Sequence, residues 1–170
     1  MLFERYLMPD LITEHFYNVT PELLAPSGIR ALICDIDNTL ATYDQSDPPP
    51  EVVEWCAKMR AAGIRISFVS NNEEERVARF NRPFGFPAYA KSGKPLGKNI
   101  RRAMEKMGSD VTSTAVLGDQ LLTDAAAGKL AGLFVIIVPP IQDKKTMFFR
   151  FKRWLERPYI REYKRRHYYA

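Results

Sequence analysis

The sequence predicts a single doubly wound α/β domain: a parallel, Rossmann-like sheet with helices on both faces and no large cap domain. Three observations lead there. Short apolar runs alternate with segments of helical composition, glycine and proline punctuate the joins, and 170 residues make one domain of ordinary size. A chain of that length buries a core without metal or disulfide staples.

The elements follow in order. Ile29 to Ile36 reads as a buried strand. Glu51 to Ala62 has helical composition and stops at Gly63, and Ile64 to Val69 forms a second strand. Asn72 to Phe80 is charged and helical, with Asn71 and Asn72 as N-cap candidates. A turn-rich stretch from Arg82 to Pro87 leads into a short extension, Ala88 to Ala90. Pro95 to Met107 reads as a helix with Pro95 in its first turn and Gly108 at its C-terminal cap. Ser113 to Leu117 is a strand, Thr123 to Leu130 a short helix, and Leu133 to Val138 a last strand stopped by Pro139 and Pro140. There is no internal repeat.

Three parts result: a lead-in (1–28) packed on the core, the core itself (29–140) and a basic aromatic extension (141–170). Cys34 and Cys56 form no Cys-x-x-Cys pair, which argues against zinc and for two reduced thiols in a cytoplasmic protein. Glu4, Arg5 and Asp10 interrupt any signal-peptide core between Met1 and Ile12, and no run reaches the roughly 20 apolar residues of a membrane span. The net charge of +5 is uneven: Lys144 to Ala170 holds ten basic and two acidic residues, while the remainder carries 15 basic and 18 acidic.

In a doubly wound sheet, ligands bind at the carboxyl ends of the strands, near the point where strand order reverses. Asp35, Asp37, Ser70 and Asp119 close strands there, and Lys94 precedes the helix beginning at Pro95. Asp35 and Asp119 offer oxygens to a hard cation such as Mg²⁺, which would let an anionic carboxylate approach an anionic ester. Asp35 is then placed to form an aspartyl-phosphate, and Asp37 to protonate the leaving oxygen and activate water. Lys94 would balance phosphoryl charge, Ser70 and the Asn71 backbone N–H would hold phosphate oxygens, and Asp124 would orient Lys94 or a metal-bound water.

Asp35-Ile-Asp37-Asn-Thr-Leu40 resembles the DxDxT signature of haloacid dehalogenase phosphatases. Val69-Ser70-Asn71-Asn72, Lys94-Pro95 and Gly118-Asp119-Gln-Leu-Leu-Thr-Asp124 resemble their second, third and fourth motifs, in the family's order. Leu7-Met-Pro9, Thr20-Pro-Glu-Leu-Leu24 and Gly28-Ile29 extend the likeness to the YqeG-like branch of subclass IIIA, which includes phosphatidylglycerophosphate phosphatases. The resemblance implies a phosphoaspartate mechanism, Mg²⁺ held by Asp35, Asp37 and Asp119, and an anionic phospholipid as leading substrate candidate. Asp37 separates this pattern from the dehalogenases, and the motif spacing leaves no room for an inserted cap. The open site that follows admits a large substrate, unless oligomerisation covers it.

Other readings compete. Asp35 and Asp37 alone would suit an ordinary strand-end turn, and Ser70 alone a helix cap. Lys91 and Lys98 compete with Lys94, and Asp44 and Asp47 read as solvated. His15 and His167 lie far from the motifs, which disfavours a Ser-His-Asp hydrolase, and carboxylates replace the glycine-rich loop of a dinucleotide site. In the tail, Met147, Phe148, Phe151, Trp154 and Leu155 recur at helical spacing among Arg150, Lys152, Arg153 and Arg157, and Pro158 is expected to end that helix. Its apolar stripe suits either packing on the sheet or an anionic membrane surface, which would make the protein peripheral on the membrane. Contact with RNA, as a binding or ribosome-assembly factor on the same scaffold, is the alternative function.

Overall fold

The computed structural model describes residues 3–142 and 146–168; Met1, Lys144, Lys145, Tyr169 and Ala170, invoked above, lie outside the described residues. The chain runs through α1 (Glu4–Leu7), β1 (Leu11–Ile12), α2 (Pro21–Leu24), β2 (Ala31–Cys34), α3 (Pro50–Ala61), β3 (Arg65–Val69) and α4 (Glu74–Asn81). It continues through β4 (Ala88–Tyr89), α5 (Lys98–Met107), β5 (Thr114–Gly118), α6 (Ala126–Leu130), β6 (Phe134–Ile137) and α7 (Met147–Tyr168). The six strands form one parallel sheet in the order β1-β6-β5-β2-β3-β4. From β2 the chain builds outward through β3 and β4, then returns to the other side of β2 with β5. That reversal creates the crevice in which such sheets bind ligands.

Every residue of β2 is buried, as a strand covered on both faces requires. Leu32 and Cys34 face a layer with Trp55, Cys56 and Met59 of α3 and Phe80 of α4. Ala31 and Ile33 face the opposite layer, with Ile100, Ala103 and Met107 of α5. This period-two alternation, met by helix faces on either side, fixes register. No separate cap domain interrupts the sheet among the described residues, and no described helix is long and apolar enough to cross a membrane.

The lead-in does more than pack. Its two-residue β1 adds an edge strand beside β6, too short to leave a periodic signal. Asp10 pins it, accepting from the Val135 N–H (2.7 Å) and pairing with Lys129 (2.6 Å). Trp55 donates to the Val19 carbonyl at 2.8 Å.

Four local expectations are corrected. The helix placed from Asn72 begins at Glu74, and neither Asn71 nor Asn72 caps it; both side chains are committed elsewhere in the site. Pro95 lies outside α5, which starts at Lys98 behind Gly97; Lys94–Pro95 is cis, and Gly93 accepts from Leu96 in an intervening turn. The helix expected from Thr123 starts as a π-helical turn at Leu121–Ala125 before α6.

Pro158 does not stop α7, which runs 22 residues through it. A proline there removes one N–H that the carbonyl four residues earlier would have used, and that residue, Trp154, is 60% exposed, so water can take its place. Buried Glu156 before the proline and buried Tyr163 after it hold the helix on both sides, the Tyr163 hydroxyl accepting from Ile12 N–H at 3.1 Å.

The packing alternative for the apolar stripe is overturned too. Met147 (82% exposed), Phe148 (68%), Phe151 (55%) and Trp154 (60%) face outward, and Leu155 is exposed as well. The helix docks through Phe149, Arg153, Glu156 and Tyr163 instead. Tyr159 and Ile160 add apolar packing on the layer with Leu7, Leu121 and Val135, so the anchor joins ion pairs and hydrogen bonds to a different set of apolar residues from the stripe.

Gly128 of α6 faces the sheet at close range: a Cβ there would lie 2.6 Å from Val135 Cγ2 and 3.2 Å from Val116 Cγ2. Gly128→Ala is expected to destabilise the fold by about 1–3 kcal/mol through overpacking, read as a lower urea midpoint at unchanged slope.

Candidate active site

β2 delivers Asp35 and Asp37 to the crevice on a tight turn. The Ile36 carbonyl accepts from Leu40 (2.9 Å) and Ala41 (3.1 Å), and Asn38 takes the left-handed conformation (φ 67°). The Asn38 side chain donates to the Gln142 carbonyl (2.7 Å) and accepts from its N–H (3.1 Å), tying the segment after β6 to this turn.

The centre of the site is an ammonium between two carboxylates. Lys94 Nζ lies 2.6 Å from Asp35 Oδ1 and 2.6 Å from Asp124 Oδ1, with all three side chains buried. Lys91, its competitor in sequence, pairs with Glu73 on the surface, and Lys98 begins α5. Asp124 also accepts from the N–H groups of Asp119 (3.2 Å) and Gln120 (3.1 Å), so it braces the end of β5. Gly118 makes room for it, since a Cβ there would stand 2.3 Å from Asp124 Cγ. Thr39 Oγ1 donates to Asp35 Oδ2 (3.2 Å) beside Asp119.

Asp37 occupies a second compartment. Its carboxylate accepts from Arg76 Nε (3.2 Å) and Nη2 (3.1 Å), Asn72 Nδ2 (3.0 Å) and Ser70 Oγ (3.3 Å). Arg76 reaches on to the Thr42 and Gln45 carbonyls. Asn71, expected to offer its backbone to phosphate, uses its side chain to accept from Ser92 Oγ (2.7 Å) and Lys94 N–H (2.9 Å). It thereby joins the loop after β3 to the one carrying Lys94. Asp35, Asp37, Ser70, Asn71, Lys94 and Asp124 line one cleft of about 360 Å³, together with Tyr43 and Lys152.

Carboxylate oxygens of Asp35, Asp119 and Asp124 lie within 4.8 Å of one another. The carboxylate of Asp37, the third residue of the expected set with Asp35 and Asp119, is turned toward Arg76. Arg153 of α7 closes the cluster from outside, with Nη2 2.5 Å from Asp119 Oδ2 and Nη1 donating to the Asp119 carbonyl (2.7 Å) and Glu156 (2.9 Å). Three buried carboxylates thus face two cations, Lys94 and Arg153. A hard divalent cation fits this all-oxygen, net negative set.

The electrostatics agree. Burial pushes Asp35 up to about 7 against the pull of Lys94. Burial and then Asp124 and Asp35 raise Asp119, with Arg153 opposing. Burial works against the Lys94 charge, but Asp124 and Asp35 overcome it and hold this lysine above its ordinary range. Burial and the surrounding carboxylates raise the Tyr43 phenol.

Thr39, Asn72, Arg76 and Arg153 went unassigned from sequence. Thr39 stood inside a quoted motif, and Asn72 beside Ser70. Arg76 and Arg153 sat in charged helical runs where nothing separates a buried cation from a solvated one.

A family model and a relative of similar length identify the family, and solved structures share the fold. The haloacid dehalogenase-like hydrolase family matches residues 9–132. The Bacillus subtilis protein YqeG, named a probable phosphatase, is 35% identical over 165 residues, covering 97% of this chain and 96% of its own. A chloroplastic phosphatidylglycerophosphate phosphatase from Chlamydomonas reinhardtii is 24% identical over 150 residues; the match covers 83% of this chain but only 56% of that protein. Among solved structures, an uncharacterized Listeria monocytogenes protein has the same fold at a TM-score of 0.55 and 17% identity, covering 69% of this chain and 85% of that one. So does a deoxy-D-mannose-octulosonate 8-phosphate phosphatase from Haemophilus influenzae, at 0.52 and 16%, covering 82% and 93%.

A cation at this cluster would compete with protons for Asp35 and Asp119, whose affinity for protons is raised, so its binding would strengthen as pH rises through neutrality. The gain in melting temperature on adding Mg²⁺ is therefore expected to be larger at pH 7.5 than at pH 5.5, read by differential scanning fluorimetry.

Proposed function

The chain belongs to the haloacid dehalogenase-like hydrolases and is a phosphatase; from that premise we propose that it hydrolyses phosphomonoesters with Mg²⁺ through an aspartyl-phosphate on Asp35. The observation that carries this reading is the buried Asp35 carboxylate, held 2.6 Å from Lys94 and flanked by Asp37 on the same turn. A nucleophile needs one fixed orientation, and Lys94 with Thr39 supplies it.

Asp35, Asp119 and Asp124 would hold the cation, with Asp124 also fixing Lys94. The cation would offset negative charge on the phosphoryl oxygens. Lys94 lines the space where those oxygens would sit, so charge developing on them meets an ammonium already in place, and Ser70, its hydroxyl proton held by Asp37, lines the same cleft. As the Asp35 oxygen bonds to phosphorus, the ester oxygen departs and takes a proton from Asp37. The same carboxylate then removes a proton from the water that attacks phosphorus and frees Asp35. Arg76, Asn72 and Ser70 keep Asp37 aimed for both transfers.

An anionic phospholipid headgroup, phosphatidylglycerophosphate in particular, is the leading substrate candidate. Two facts support it: the relative named for that lipid, and a cleft with no separate cap over it among the described residues. In this reading the basic α7, beside the cleft, makes the peripheral membrane contact.

Asp35→Asn is expected to abolish phosphate release with the circular dichroism spectrum and melting transition preserved; normal turnover would end the nucleophile assignment. Asp119→Asn is expected to raise the Mg²⁺ concentration needed for half-maximal rate and to lower the maximal rate. Phosphate release from phosphatidylglycerophosphate in mixed micelles is expected to exceed that from a soluble aryl phosphate. Equal slow rates would keep the chemistry and discard the lipid.

A further inference from the structure

We propose that the outward face of α7 is a docking surface for an anionic lipid bilayer, set so that the bilayer meets the mouth of the cleft. The inference takes its purpose from the lipid-phosphate reading, while its argument rests on α7 itself.

A helix this long has two sides, and here they do different work. The inner side holds Arg153 on Asp119, Glu156 on the Leu122 N–H (3.2 Å) and Tyr163 on Ile12. The outer side presents Met147, Phe148, Phe151, Trp154 and Leu155 to solvent over its first turns. Large apolar side chains exposed together along one helix face mark an interaction surface.

At about 100° per residue, Arg150, Arg157, Arg161 and Lys164 follow one edge of that stripe. All four are exposed, and none is in an ion pair among the described residues. From Met147 to Tyr168 there are eight Lys or Arg and two Glu. Glu156 is buried and Glu162 is occupied by Arg165 and Arg166, so neither glutamate of the helix offsets the edge, and Glu14 approaches only its Lys164 end. A tryptophan and aliphatic groups beside cations match the headgroup boundary of an anionic bilayer.

Two other occupants fit less well. A second copy in a two-fold contact would oppose the same cationic edge to itself. RNA bases need open ring faces, whereas Phe151 and Trp154 stack on each other (centroids 6.0 Å apart, 23° between planes) and Lys152 covers Phe148 at 4.9 Å.

Position supplies the link to the site. Lys152, next to Phe151, lines the same cleft as Asp35 and Lys94, and Arg153 touches Asp119. A surface engaged by Phe148, Phe151 and Trp154 therefore lies within a helical turn of residues at the cleft.

The test uses the full chain with vesicles of phosphatidylcholine alone or mixed with phosphatidylglycerol. Binding is read by co-sedimentation and by tryptophan emission. Trp55 is buried and hydrogen-bonded, so a blue shift reports Trp154. Binding and a blue shift are expected only with the anionic vesicles, weakening with salt. The triple variants Phe148→Ser/Phe151→Ser/Trp154→Ser and Arg150→Glu/Arg157→Glu/Lys164→Glu are each expected to lose about tenfold or more in vesicle affinity. Both are expected to keep wild-type turnover of a soluble aryl phosphate, since none of these residues is in the catalytic set. Vesicle binding that is absent in the wild type, or equal in the wild type and both variants, would overturn the proposal. So would single-stranded RNA binding or dimerisation that depends on these residues in place of vesicle binding. A wild type that binds vesicles but hydrolyses neither ester would refute the phosphatase chemistry and leave the surface standing.

Discussion

One buried contact organises the rest of the molecule: the Lys94 ammonium between Asp35 and Asp124. The three residues come from the end of β2, the loop after β4 and the π-helical turn after β5. None would be tolerable there alone. Two buried carboxylates with no cation, or a buried ammonium with no anion, would each carry a desolvation cost of several kcal/mol. Together they are satisfied, but only if three chain segments meet within hydrogen-bond distance. The Asn71 clasp on Ser92 and Lys94 and the bare Cα of Gly118 both serve that meeting. The order of the sheet matters functionally because it is what brings these segments to one edge.

The same logic extends to the C-terminal helix. Arg153 is to Asp119 what Lys94 is to Asp35, and it arrives from a segment outside the sheet. α7 is therefore part of the site's electrostatics. An orienting partner of this kind holds the Asp119 carboxylate in place and moderates its charge. With the inner side of the helix fixed by ion pairs and by Tyr163, the aromatic side has no core left to join. Its exposure follows from how the helix is anchored.

Much of this was legible in the sequence, and the parts that were not share a cause. β2, β3, β5 and β6 announced themselves because strands buried on both faces are continuous apolar runs, and Gly63 and Gly108 marked helix ends through their left-handed backbone. The acidic strand ends stood out because charge rarely follows such runs. What escaped notice was set by partners distant in sequence. Arg76 is 39 residues from Asp37, and Arg153 is 34 from Asp119. Asn38 meets Gln142 across 104 residues. Pro158 looked like a terminator because a local rule cannot see buried anchors on both sides of it. The aromatic stripe misled in the same way: periodicity identifies a face but not what that face meets.

The most direct test of the central claim is to look for phosphate on Asp35 itself. Protein mixed with a labelled phosphomonoester and Mg²⁺, then acid-quenched within one turnover, is expected to carry a hydroxylamine-labile phosphate on the peptide that contains Asp35. Rapid turnover with no label on the protein, or label on another residue, would contradict the account.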